Sequence, residues 1–195
     1  IPEHFDNLQD LIFLYLDLID NLNLSDVILM GFSMGGWAAA EIAAINTRRF
    51  SKLVLVDSVG IKVGGPFDRD IADVFATSAA ELTGLSWHDP SKAPDPNSMT
   101  DEELQVFASD RIAHGLYTWE PYMHNPKLPY RLHRIDIPTL LIWGAGDGVV
   151  TPTYGEAFRD MIPGAKMVVI PDAAHSPHVE QPEAFAKAFL EFASK

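Results

Sequence analysis

Four short apolar runs, separated by stretches of helical periodicity, constrain the fold of this chain more than any other feature. They are Val27-Ile28-Leu29-Met30, Leu53-Val54-Leu55-Val56, Leu140-Leu141-Ile142-Trp143 and Met167-Val168-Val169-Ile170. Each is apolar at every position, which is the pattern of a strand covered on both faces. Elsewhere the period changes. From Asn7 to Leu22 the apolar positions are Leu8, Leu11, Ile12, Leu14, Tyr15, Leu18, Ile19 and Leu22, which is helical spacing. Gly36 to Asn46 is rich in Ala and reads as a second helix, and Thr153 to Met161 as a third. Pro182 to Ala193 closes the chain, with Pro182 suited to a first turn and Phe185, Phe189 and Phe192 on one face. Strands alternating with helices predict an α/β fold: a mostly parallel sheet flanked by helices, with right-handed crossovers. In such sheets the working residues sit on loops at the carboxyl ends of the strands.

One stretch breaks the alternation. Between about Lys62 and Arg134 lie Gly64-Gly65-Pro66, Asp89-Pro90, Pro94, Pro96, Pro121, Pro126 and Pro129, with helical patches at Asp70 to Ala80 and Asp101 to Ile112. This reads as an inserted, mostly helical cap over 62–134, with the core formed by 1–61 and 135–195. A chain of 195 residues suits one domain carrying such an insertion. The net charge of −13 argues against a basic face for nucleic acid and against attraction to anionic lipid. The absence of Cys removes disulfides, thiolate chemistry and Cys-based zinc sites, and fits a reducing compartment, so a cytoplasmic location is expected. No apolar run approaches the roughly 18 residues that span a bilayer. The His and carboxylate residues show no convincing metal spacing. Gly144-Ala145-Gly146 lacks the third Gly of a dinucleotide loop, so no cofactor is expected.

Gly31-Phe32-Ser33-Met34-Gly35 matches G-x-S-x-G. A chain this long meets that bare pattern by chance about once in fifteen, so the pattern alone is weak. Its context is strong, because it directly follows an apolar strand and directly precedes a helix. A serine on so sharp a turn is lifted out of the sheet, and side chains at the flanking positions would clash, which accounts for Gly31 and Gly35. The helix N-terminus adds free N–H groups and positive dipole, so the Met34 N–H is the expected oxyanion donor.

Serine is a poor nucleophile without a base. Of His4, His88, His114, His124, His133, His175 and His178, only His175 and His178 lie just beyond an apolar strand at the expected edge. Ala173-Ala174-His175 is small and turn-like, which favours His175; His178 lies nearer the closing helix. The histidines of the insertion read as solvated or structural. The base needs a carboxylate to fix its tautomer. Asp147 follows the third strand in Trp143-Gly144-Ala145-Gly146-Asp147, and Ser…Asp…His is the chain order this arrangement requires. Asp57, at the end of the second strand, is a rival on the same edge. Asp172 is close to His175 in sequence and less well placed to face it.

With these residues the chain resembles the α/β-hydrolase superfamily, in its cap-bearing serine hydrolase group. The matching pieces are Gly31-Phe32-Ser33-Met34-Gly35-Gly36, then Trp143-Gly144-Ala145-Gly146-Asp147 with Val149, Val150 and Pro152, and His175 with Glu180 and Pro182. The resemblance implies Ser33 as nucleophile, Asp147 as acid and His175 as base. Ser33 stands where epoxide hydrolases and haloalkane dehalogenases of this fold carry Asp, which disfavours both activities. Members normally carry several strands and a helix before the nucleophile strand, and a loop there supplies a second oxyanion donor. The resemblance therefore implies an α/β-hydrolase fold that is N-terminally incomplete.

Phe32 and Met34 flank the nucleophile, and Phe32, Trp37 and Trp119 are the expected substrate-binding side chains. The expected partner is a small molecule, an apolar ester or ketone. Acyl transfer on carboxylic esters is the first expectation. Carbon–carbon cleavage of ring-fission products is the second, and a binding or receptor protein of the same fold is the third. Oligomeric state is left open.

Overall fold

The computed structural model describes residues 2–194. Helix α1 (Leu8–Asn21) opens on a capping box: the Asn7 side chain accepts from the Gln9 N–H, and Asp10 accepts from the Asn7 N–H. Strand β1 (Val27–Phe32), helix α2 (Met34–Ile45) and strand β2 (Phe50–Val56) follow. Helices α3 (Ala79–Ser86) and α4 (Asp101–Thr118) lie between β2 and strand β3 (Thr139–Gly144). Helix α5 (Pro152–Asp160), strand β4 (Lys166–Ile170) and helices α6 (Pro177–Glu180) and α7 (Pro182–Ala193) complete the order.

The four strands form one sheet in the order β1-β2-β3-β4, and every pairing is parallel. Phe32 pairs with Val56, Val56 with Ile142, and Gly144 with Ile170. All four strands therefore end at one edge, and the loops bearing Ser33, Asp57, Asp147 and His175 leave from it. Alternate residues feed two apolar layers, as a two-residue period requires. Leu53, Leu55, Leu141 and Trp143 pack towards α1, α2 and α5. Val54, Val56, Leu140 and Ile142 pack towards Phe185, Phe189 and Phe192 of α7.

Two expectations need correction. The runs Val27 to Met30 and Met167 to Ile170 are not covered on both faces: the first is half-buried and Val168 and Val169 are exposed, because β1 and β4 are outer strands with one paired neighbour each among the described residues. The patch Asp70 to Ala80 is not a helix. Ile71 forms an antiparallel bridge with Val150, the Asp70 carboxylate accepts the Val63 and Gly64 N–H groups, and the Asp73 side chain accepts those of Phe75 and Ala76. Local carboxylate-to-backbone bonds hold this stretch in turns. The helix starts only after Ser78, whose hydroxyl accepts the Glu81 N–H. The Asp101 patch runs longer than its spacing suggested, to Thr118, behind a Thr100–Glu103 capping box.

The segment between β2 and β3 is joined to the body by buried side chains. Ile71, Val74, Tyr117, Leu128 and Leu132 share one apolar cluster with α1, α2 and α5. Among the described residues, no helix is long and apolar enough to cross a membrane.

Candidate active site

A single residue, Ser33, separates β1 from α2, and it takes φ 49° and ψ −116°. Such a conformation costs a non-glycine residue about 1–3 kcal/mol and persists only where its surroundings enforce it. The enforcing contacts are partly those expected. A Cβ at Gly31 would overlap the carbonyl of Gly35, and one at Gly36 would overlap the Ser58 hydroxyl. A Cβ at Gly35 meets nothing within 4 Å, so the expected clash at Gly35 is absent and the close approach belongs to Gly36. The Ser33 carbonyl accepts from Gly36 and Trp37. The N–H groups of Met34 and Gly35 start the helix and have no acceptor within it.

His175 reaches Ser33 from the loop after β4. Its Nε2 lies 3.0 Å from Ser33 Oγ, and its Nδ1 lies 2.8 Å from Asp147 Oδ2. With the proton on Nδ1, that N–H donates to Asp147 and Nε2 is free to accept from the serine hydroxyl. The Asp147 side chain is fully shielded from solvent, and its Oδ1 accepts the N–H groups of Val149 and Val150 at 2.8 and 3.0 Å. Burial works against a charged His175, but the adjacent Asp147 charge and its hydrogen bond outweigh it. The His175 pKa is held above the ordinary imidazole value.

The rival carboxylates sit elsewhere. Asp57 accepts the Gly144 N–H through Oδ1 at 2.9 Å and makes no hydrogen bond to His175. Burial, and then the Asp147 charge, push its carboxyl well above the usual range. Asp172 is exposed and lies 3.7 Å from His88. His178 packs at a tilt against Phe32 with ring centroids 4.4 Å apart.

Four positioning contacts escaped the sequence reading. The His175 N–H donates to the Ser86 carbonyl, and the Gly148 N–H to the Leu85 carbonyl, so the end of α3 supports both the His and the Asp loops. The buried Glu180 carboxylate accepts the Ala174 N–H at 2.7 Å and the Asp89 N–H at 3.0 Å, tying the residue before His175 to the inserted segment. The spacing His175…Glu180 was visible in the sequence; its two backbone donors were not. Of the inserted histidines, His114 is part-buried near Arg111 and His175. Burial, then Arg111 and His175, hold its pKa down.

The three expected substrate-binding side chains are not together. Phe32 is 36% exposed, follows the strand into Ser33 and packs on His178 and Phe185. Trp37 is buried, and its indole N–H donates to Glu41. Trp119 is exposed, edge-on to Phe75. Trp37 and Trp119 both line a cleft of about 680 Å³ whose wall does not include Ser33.

Residues 1–188 match the profile of the Alpha/beta hydrolase family. The chain belongs to that family. Among curated α/β hydrolase relatives, it is 30% identical over 181 residues to 3-oxoadipate enol-lactonase 1 of Acinetobacter baylyi, covering 91% of this chain and 67% of the lactonase. It is 29% identical over 192 residues to the 2-hydroxy-6-oxononadienedioate/2-hydroxy-6-oxononatrienedioate hydrolase of Cupriavidus pinatubonensis, covering 90% of this chain and 64% of that enzyme. The chain thus spans about two thirds of the length of these α/β hydrolases. Among solved structures, a hydrolase from Pseudomonas aeruginosa PA01 superposes with a TM-score of 0.72 and 29% identity, covering all of this chain and 75% of the other.

Proposed function

We propose that this α/β hydrolase is a serine hydrolase that cleaves a carboxylic ester or related acyl bond, with Ser33 as nucleophile, His175 as general base and Asp147 as the acid. The observation that carries the reading is the unbroken hydrogen-bonded line from Ser33 Oγ through His175 to Asp147, set on a strained turn at a helix N-terminus. In this mechanism His175 Nε2 takes the hydroxyl proton as Ser33 Oγ attacks the carbonyl carbon. Asp147 stabilises the imidazolium that forms. The Met34 N–H donates to the oxyanion as the carbonyl becomes tetrahedral. His175 then returns the proton to the leaving oxygen, and water, activated by the same imidazole, cleaves the acyl-enzyme.

Residues 62–134 act as the cap in this reading, because α3 supports the His175 and Asp147 loops from above the sheet edge. Phe32 forms an apolar wall beside the nucleophile. Trp37 and Trp119 reach substrate only through the cleft they share, so Trp119→Ala raises KM with kcat unchanged if a long substrate enters there. The protein works on a small molecule as a soluble, cytoplasmic enzyme.

A second reading is carbon–carbon cleavage of a ring-fission product. The similarity to the Cupriavidus pinatubonensis hydrolase favours it. The experiment is steady-state turnover on short-chain aryl and alkyl esters and on a vinylogous 1,5-diketone acid, with Ser33→Ala alongside. Multiple turnover of esters, lost in Ser33→Ala, is the expected result. Turnover of the diketone alone moves the protein to the second reading. Binding without turnover of either makes it a receptor and overturns the proposal.

A further inference from the structure

Behind His175 stand two buried carboxyl groups where one would suffice. Both oxygens of Asp147 have partners, with one acceptor site still open: Oδ1 takes the Val149 and Val150 N–H groups, and Oδ2 takes His175 Nδ1–H. The oxygens of Asp57 are not both partnered. Its Oδ1 takes the Gly144 N–H, while its Oδ2 is the one buried side-chain polar atom without a partner among the described residues. Asp57 is 1% exposed, sits at φ 41° and is anchored by its own N–H to the Ile142 carbonyl, so it is held there by the sheet. The charged groups that bear on it are Asp147 and His175.

Two ionised carboxylates in so dry a site repel each other and leave one oxygen unsatisfied, and both effects disfavour the doubly charged pair. A single proton removes both penalties. Placed on Asp57 Oδ2, it converts an orphan acceptor into a donor, and Asp147 is close at hand, since Gly144 gives its N–H to Asp57 and takes the Asp147 N–H on its carbonyl.

We propose that Asp57 is a neutral positioning residue that donates its Oδ2–H to the Asp147 carboxylate, so that the two carboxyl groups share one negative charge behind His175. This inference rests on the reading of Ser33, His175 and Asp147 given above. The Gly144 N–H on one side and Asp147 on the other fix the Asp57 side chain, and the donated proton keeps the Asp147 plane turned towards His175 Nδ1. It also draws charge away from Asp147. His175 then keeps enough acidity to be a free base near neutral pH despite the carboxylate beside it. The burial that pushes the Asp57 carboxyl up is the physical source of its neutrality.

The direct test is infrared spectroscopy of the folded chain at neutral pH. The expected result is a protonated-carboxyl carbonyl band that shifts on deuteration, persists in Asp147→Asn and vanishes in Asp57→Asn. Absence of any such band, or its loss in Asp147→Asn with retention in Asp57→Asn, overturns the proposal. If Asp57→Asn does not fold, the persistence or loss of the band in Asp147→Asn decides the matter. The spectrum needs neither turnover nor an activated Ser33, so its outcome is separate from that of the ester assay.

Where esters are turned over, the pH profile gives a second reading. Asn keeps an acceptor for Gly144 and a donor for Asp147 and adds no charge. Asp57→Asn therefore leaves the acid limb of kcat/KM in place, whereas Asp57→Ala lowers kcat by up to about a hundredfold. A limb displaced to lower pH in Asp57→Asn means that an ionised Asp57 was supporting the His175 cation, and overturns the proposal.

Discussion

At the residue scale the account turns on the charge state of His175. The proposed general base must be neutral to accept the Ser33 proton, and Asp147 raises its pKa. Base function is therefore lost as pH falls through that raised value, and the acid limb of kcat/KM inflects above about 6.5. A pH–rate profile on a neutral ester checks this; an inflection below that value means that burial, not Asp147, governs the imidazole. Asp147→Asn leaves the Val149 and Val150 contacts to its side-chain oxygen but no longer fixes the tautomer, and kcat falls by on the order of 10⁴. The sequence pointed to these three residues because each lies on a loop that leaves a strand, and parallel strands bring their ends to one edge. Chain order was the sequence's reason to favour Asp147 over Asp57 as the proposed acid. The neighbourhood of the two carboxyl groups was not, since it depends on β2 and β3 being adjacent and on Asp57 reaching across to the Gly144 N–H.

At the element scale the β1–Ser33–α2 turn is tightly packed around a positive-φ serine. Gly31→Ala places a methyl group against the Gly35 carbonyl and is expected to cost about 1–3 kcal/mol. Gly35→Ala meets open space inside α2 and exchanges Gly for a better helix former, so it is neutral or stabilising by up to about 1 kcal/mol. Urea denaturation of the two variants separates them; equal destabilisation contradicts this picture of the turn. The G-x-S-x-G pattern treats its two glycines alike, and only the packing distinguishes them. The same limit explains the Asp70 to Ala80 stretch. Its composition suits a helix, yet the Asp70 and Asp73 carboxylates bond to nearby backbone N–H groups, and a bridge to Val150 holds Ile71 extended. Glu180 belongs here too: its carboxylate joins the His175 loop to Asp89, so Glu180→Ala leaves the buried Ala174 N–H without an acceptor. The expected cost is about 1–3 kcal/mol for that orphaned group, read in the same denaturation experiment.

At the scale of the whole molecule, the sheet and its two apolar layers followed from the four apolar runs, while the covering of those layers did not. An apolar strand carries no mark of whether it will be central or outer, and β1 and β4 are both outer strands here. The net charge of −13 acts on the molecule as a unit. It repels anionic substrates over a Debye length of about 8–10 Å near physiological salt, so kcat/KM for a carboxylate-bearing ester rises with ionic strength while that of a neutral ester does not. Parallel salt titrations with the two substrates check this, and a neutral ester that responds equally would contradict it. Activation of Ser33 as a nucleophile is read by intact-mass analysis after fluorophosphonate treatment. One adduct per chain is expected on the parent protein and none on Ser33→Ala or His175→Ala. A folded parent chain that takes no adduct, or a Ser33→Ala chain that still takes one, would contradict that activation.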